Sequence, residues 1–171
     1  MTLDKDGAGT LSLRIQGNTI QQVETNGIAL GTTQSNALNA LIISNTIREP
    51  GYTGPGANAQ GNAMLFNVGA NSGSTTTACL DIGGTGLQNT IQDTAAKTWD
   101  PNGSGVAIYF NTKNATLTRQ PGYGGTSTND SAFAAFTTSR NTFTLVGGAG
   151  TTLSTRFNGS TYGGGAACSV P

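Results

Sequence analysis

Three Asn-Thr-Ile triplets, Asn18-Thr19-Ile20, Asn45-Thr46-Ile47 and Asn89-Thr90-Ile91, each follow a run with an apolar residue at every second position. The runs are Leu11-x-Leu13-x-Ile15-x-Gly17, Leu38-x-Ala40-x-Ile42-x-Ser44 and Ala78-x-Leu80-x-Ile82-x-Gly84, the third reaching its triplet after a four-residue insertion. Alternation at period two marks strands with one buried face. Another strand recurs after each triplet: Ile28-x-Leu30-x-Thr32, Met64-x-Phe66-x-Val68 and Val106-x-Ile108-x-Phe110. Each repeat therefore reads strand, polar turn, short strand, turn, strand.

The repeats are unequal, with 27 residues from Leu13 to Ala40 and 40 from Ala40 to Leu80. The excess falls in two loops, residues 50–61 and residues 94–105 around Trp99-Asp100. A stack of coils tolerates such insertions, because each one leaves the contacts between neighbouring coils intact. The pattern predicts an all-β right-handed parallel β-helix, a solenoid of three to four coils over residues 1–119. Its inward set is Leu13, Ile15, Ile20, Ile28, Leu30, Ala40, Ile42, Ile47, Met64, Phe66, Leu80, Ile82, Ile91, Val106 and Ile108. The competing arrangement is an antiparallel sandwich. Its hairpins favour two-residue Asn-Gly links, whereas Asn26-Gly27 and Asn102-Gly103 open strand blocks here. Leu41 and Ile43 fall on the outward face, so either the C-terminal tail covers them or they form an interface. Asn18 and Asn45, at equivalent corners, are expected to hydrogen-bond as a ladder.

Composition agrees with strands and turns. The chain carries 26 Gly, 28 Thr, 16 Asn and 12 Ser but only 9% charged residues, against about 25% in an average globular domain. Eight basic and eight acidic side chains give no net charge, which removes the electrostatic case for nucleic acid or an anionic membrane. No apolar run is long enough to span a bilayer as a helix. The segment Met1 to Gly7 lacks a signal-peptide pattern, leaving a cytosolic protein or a fragment of a longer secreted chain. We favour the fragment, because the extended pattern begins almost at once.

Beyond Arg119 the pattern changes. Pro121-Gly122-Tyr123-Gly124-Gly125 breaks the strand, and Asp130 precedes a segment in which Ala132, Phe133 and Phe136 share one helical face. A short helix near residues 131–138 is expected to cap the open end of the solenoid. Residues 120–171 then form a cap belonging to the same domain, with Thr142 to Val146 as a strand and Gly147 to Gly165 as an irregular Gly/Thr tail. In this register Cys79 points outward from the coil wall, within reach of a tail returning along the outside. The two cysteines, Cys79 and Cys168, lack metal-ligand spacing, and there is no histidine. A Cys79–Cys168 disulfide in an oxidising compartment is the expected pairing.

The Leu-x-Ile-x-Gly-Asn-Thr-Ile pattern, the run Cys79-Leu80-Asp81-Ile82-Gly83-Gly84 and the block from Arg119-Gln120-Pro121-Gly122-Tyr123 through Asn129-Asp130 to Cys168 resemble the C-terminal part of bacterial right-handed parallel β-helix surface proteins. These are the Gly/Asn/Thr-rich passengers and repeat adhesins. The resemblance implies secretion to the extracellular space or bacterial cell surface, a structural or adhesive role, and further coils upstream. It transfers no catalytic motif.

β-Helices also carry polysaccharide-cleaving sites, which depend on paired carboxylates. Asp93 and Asp100 flank the Trp99 loop and Glu49 precedes the Pro/Gly loop, so they are candidates to converge where Tyr52, Trp99 and Tyr109 offer faces to a sugar. Capping and solvation account for eight acids at turns more simply. Without histidine, Ser-His-Asp and Cys-His arrangements are excluded within this chain. The Gly-rich runs lack the Lys-Ser/Thr of a phosphate loop, and Asp4-x-Asp6-Gly7 lacks the later acid of a calcium loop, so it reads as a fortuitous N-terminal tail. Alternating threonines such as Thr75/Thr77 and Thr116/Thr118 do not recur at one coil position and reflect strand propensity.

The resulting expectation is a non-enzymatic structural or adhesive module without cofactor, nucleic-acid partner or membrane insertion, whose partner is a host or cell-surface glycan or protein. The alternatives are a glycan-binding or glycan-cleaving module using Tyr52, Trp99, Asp100 and Tyr109, or a filament subunit stacking end to end through an uncapped coil that begins near Leu11.

Overall fold

The computed structural model describes residues 1–50, 61–71, 75–93, 107–112, 114–125, 130–145, 155–159, 162–167 and 169–171. The strands are β1 (Thr2–Lys5), β2 (Thr10–Gln16), β3 (Thr19–Gln21), β4 (Ile28–Thr32), β5 (Ala37–Ile43), β6 (Thr46–Arg48), β7 (Met64–Val68), β8 (Thr76–Ile82), β9 (Thr90–Asp93), β10 (Ile108–Thr112), β11 (Ala115–Arg119), β12 (Thr142–Leu145), β13 (Thr155–Gly159) and β14 (Tyr162–Ala167). One helix, α1 (Asp130–Ser139), lies between β11 and β12. The strands form three parallel sheets, ordered β1-β4-β7-β10-β13, β2-β5-β8-β11-β14 and β3-β6-β9-β12. Every strand pairs with the one three places later, so the chain visits the three sheets in turn and each circuit makes one coil. This is a solenoid-like, mostly parallel all-β arrangement.

The repeats stack in the register read from the sequence. In the second sheet Leu11, Leu38 and Ala78 align, as do Leu13, Ala40 and Leu80, and Ile15, Ile42 and Ile82. In the third sheet Ile20, Ile47 and Ile91 align. Their side chains fill the interior, and Ile42, Ile47, Ile82 and Ile91 are fully buried. Leu13 and Ile20 are only partly buried, because the first coil has a neighbour on one side alone. In the first sheet Ile108, not Val106, lies over Met64, and Phe110 lies over Phe66. The expected alignment was two residues out. A two-residue slip leaves every side chain on its own face, so alternation fixes the face without fixing the register. Val106 itself lies outside the described residues.

Three further expectations are corrected. Asp4-x-Asp6-Gly7 is not a loose tail: β1 pairs with β4, with Leu3 over Leu30. The helix does not close the end of the stack. It occupies the corner between the second and third sheets of the fourth coil, and β13 and β14 follow it. Much of the presumed irregular tail is therefore strand, with Phe157 over Phe110 in register and β14 paired with β11. The small residues of β14, three glycines and two alanines, are compatible with this, since parallel pairing needs backbone groups rather than large side chains.

Asparagines hold one corner. The Asn18 side-chain amide donates to Asn45 Oδ1 at 2.9 Å, Asn45 to Asn89 Oδ1 at 2.9 Å, and Asn89 to Asn141 Oδ1 at 2.8 Å. Each acceptor oxygen also takes the backbone N–H of the preceding asparagine, at 3.1, 3.0 and 3.2 Å. Asn45, Asn89 and Asn141 are buried, where an unmet amide would cost about 1–3 kcal/mol. The chain enters this corner through a left-handed residue, Gly17 (φ 70°) in the first coil and Ser44 (φ 55°) in the second. In the third coil Gly83 (φ 72°) turns, and a Cβ there would collide with the backbone carbonyl of Arg140, so only glycine fits.

α1 joins the core through aromatic rings. Phe66 stacks on Phe110 at 5.0 Å, Phe133 meets Phe110 edge-on at 5.4 Å, and Tyr123 meets Phe133 edge-on at 5.6 Å. At the helix C-terminus the Asn141 amide donates to the Thr137 carbonyl at 2.8 Å. The last asparagine of the ladder thereby caps the helix.

We expect Asn45→Ala to lower the unfolding free energy by about 3 kcal/mol in urea titration, since it strands partners on both adjacent coils. Asn18→Ala, at the open end, should cost about 1 kcal/mol, because Asn45 Oδ1 keeps the Asn18 backbone donor.

Candidate functional site

Among the described residues, a buried ion pair and a covered cysteine lie on the outward side of the second sheet. Outward positions of β5 and β8 carry Asn39, Leu41, Cys79 and Asp81, with Cys79 beside Asn39 and Asp81 beside Leu41. An outward side chain on a central strand would ordinarily meet water, yet Cys79 is 3% exposed. Its Sγ lies 3.7 Å from the Ser169 carbonyl, so the end of the chain crosses this face. Ile43 is buried as well and Leu41 partly so, which removes the conflict of two outward apolar residues.

Arg140, immediately after α1, reaches into the same face. Its Nη2 lies 2.6 Å from Asp81 Oδ1, with the two side chains 15% and 13% exposed. The guanidinium also donates to the carbonyls of Gly83 at 2.5 Å and Pro121 at 2.9 Å, and it lies over the Phe136 ring at 5.2 Å. Burial pushes the Asp81 carboxyl above its usual range, and the charge and hydrogen bond of Arg140 draw it back only in part. Chemically the group is a clasp, in which one guanidinium ties the helix, the Gly83 turn and the Pro121 turn to β8.

The residues expected to form a sugar site are distributed differently. Tyr52, Trp99 and Asp100 lie outside the described residues, as does Cys168. Tyr109 is not in a loop: it lies within β10, aligned with Leu65 of β7, and is 6% exposed, so its ring offers no open face. Glu49 follows β6, which pairs in register with β9; its backbone N–H donates to the Gln92 carbonyl at 3.0 Å, and its carboxylate accepts from Gln22 Nε2 at 3.3 Å in the coil before. Asp6 accepts the Thr33 hydroxyl at 2.7 Å and the Gly7 N–H at 3.0 Å, and these bonds hold its carboxyl below the usual carboxylate value. Among the described residues no three His, Cys, Asp or Glu side chains gather as a metal site, and no helix is long and apolar enough to cross a membrane.

Three features escaped the sequence reading. Thr19, Thr46, Thr90 and Thr142 do form one outward column, although the neighbouring column is Gln21, Arg48, Gln92 and Thr144 rather than a second threonine row. The fourth ladder residue, Asn141, opens Asn141-Thr142-Phe143, which a search for Asn-Thr followed by any large apolar residue would have found. Arg140 had no signal, since its partner Asp81 is 59 positions away.

Because the Asp81 pKa is raised on folding, the ionised carboxylate is the form the fold disfavours. Its contribution is most favourable below about pH 3.8, the unfolded value, and is lost as pH rises through the raised folded value. Asp81→Asn should flatten that part of the stability–pH curve. Arg140→Ala should cost about 3 kcal/mol at pH 7 by leaving a buried charge unpaired, and adding Asp81→Asn should recover part of it in urea unfolding. A double variant no more stable than Arg140→Ala would show that Arg140 acts through Phe136 and the two carbonyls instead.

No family model, no curated protein and no solved structure matches this chain.

Proposed function

We propose that the protein is a right-handed parallel β-helix and a non-enzymatic structural or adhesive module of an extracellular bacterial protein. The observation that carries this reading is the use made of buried polar groups. The asparagine column joins coil to coil, Thr32 donates to Thr76 Oγ1 at 3.4 Å, and Arg140 with Asp81 clasps the helix. These groups serve cohesion along the stack, which suits an elongated scaffold displaying its walls and loops. The right hand follows from the strong preference of parallel crossovers.

The extracellular setting rests on the cysteines. Ser169, next to Cys168 in sequence, lies with its carbonyl 3.7 Å from Cys79 Sγ, which supports a bond between the two cysteines. A Cys79–Cys168 bond closes a loop of about 90 residues and would stabilise the fold by roughly 4–5 kcal/mol in the chain-entropy account. It would also fasten the chain end over the outward face of β8.

Intact mass of air-oxidised protein, alkylated with and without reductant, should show no alkylation until reduction. Two free thiols in native protein would defeat both the bond and the extracellular assignment. On a glycan array the wild type and Trp99→Ala should behave alike. Saccharide binding by the wild type that disappears in Trp99→Ala would replace the structural reading with a glycan-binding one.

A further inference from the structure

The three walls of the stack are not alike. On the first sheet the outward Ala29 and Tyr109 are buried, and on the second the outward Cys79 and Asp81 are buried. The third sheet keeps its outward side chains in the open. Thr19, Thr46, Thr90 and Thr142 stand in one column and Gln21, Arg48, Gln92 and Thr144 in the next, with Ile20, Ile47, Ile91 and Phe143 turned inward between them. All eight outward residues are exposed or partly exposed, and their side chains meet no hydrogen-bond partner among the described residues. The wall crosses four coils, so its character does not depend on where the stack starts or stops.

Chemistry narrows what this wall can hold. The two columns carry five hydroxyls, two amides and one charge, that of Arg48, with no carboxylate and no large apolar side chain. A protein partner would need an apolar centre to the interface, and an anionic polymer would need a row of cations. Hydroxyls and amides offer donors and acceptors side by side, which matches a neutral chain that itself carries hydroxyls. Stacked strands repeat every ~4.8 Å, so the column presents one threonine hydroxyl per step along a straight line of about 14 Å. A polymer that curls away from a line would meet one rung and miss the rest.

We propose that the outward wall of the third sheet binds an extended neutral polysaccharide, a β-1,4-linked hexose chain, laid along the threonine column. Its ring hydroxyls meet the hydroxyls of Thr19, Thr46, Thr90 and Thr142 on one side and the amides of Gln21 and Gln92 on the other, and Arg48 donates to sugar oxygens between them. This rests on the adhesive role proposed for the module and gives that role a surface and a partner. Each contact is open to water and contributes little, so one sugar is held weakly and strength comes from several rungs engaging one chain.

The test is co-sedimentation of the 171-residue protein with insoluble β-1,4-glucan and β-1,4-mannan, with polygalacturonate as the anionic control, and calorimetric titration with cellohexaose and mannohexaose. Retention on a neutral polymer and binding of its hexaose are expected. Thr46→Val combined with Thr90→Val removes two hydroxyls from the middle of the column and keeps β-branched side chains. Its urea unfolding should match the wild type while hexaose affinity falls about tenfold, and Trp99→Ala should bind as the wild type does. No retention on either neutral polymer, equal binding to polygalacturonate, a double valine variant that binds like the wild type, or binding lost only in Trp99→Ala would each overturn the proposal. An absence of retention removes this surface alone, since the extracellular scaffold is tested separately by the alkylation of its cysteines.

Discussion

Coil-to-coil hydrogen bonding in register is the constraint on which the rest of the structure depends. A parallel strand pair has its neighbours supplied by another circuit of the chain, so each coil is stable only where the next lies directly on it. The circuits differ greatly in length: successive ladder asparagines are 27, 44 and 52 residues apart. The column nevertheless stays in line, because both the amide and the backbone N–H of one asparagine meet a single oxygen of the next. This two-donor contact fixes the corner and leaves the extra residues to be absorbed elsewhere.

The same column links the strands to the helix. Asn141 is both the last member of the ladder and the group that caps α1, so the helix is positioned by the stack beneath it. The aromatic contacts from Phe66 through Phe110 to Phe133 and Tyr123 and the Arg140 clasp on Asp81 fix the helix from two other directions. The clasp is electrostatically costly in part, since burial disfavours the Asp81 charge. What it secures is position: Arg140 holds the Gly83 and Pro121 turns at the same time as the carboxylate.

Much of this was legible in the residues. Alternation at Leu11, Leu13 and Ile15 and its recurrence at Leu38, Ala40 and Ile42 identified the strands, and the shared Asn-Thr-Ile triplets identified the corner. The spacing of Ala132, Phe133 and Phe136 identified the helix. Where reading stopped, the reasons were physical. Period two specifies which face a residue takes but not its depth along the strand, hence the two-residue displacement at β10. Neither β13, Thr155-Arg156-Phe157-Asn158-Gly159, nor β14, with three glycines and two alanines, has an apolar rhythm, because a strand laid on an existing edge takes its conformation from that edge.

The sequence by itself determined which residues face inward and where the chain turns, since these follow from local chemistry: β-branched and apolar alternation, left-handed glycine, and asparagine at a corner. It also determined, through the absence of histidine, what nucleophile chemistry the chain excludes. Only the tertiary structure decided that the helix sits within the fourth coil, that Asp81 meets Arg140 and that Tyr109 is covered. Those outcomes depend on contacts between residues tens of positions apart, whose proximity arises from the number of coils and the length of each loop. No local pattern encodes that sum.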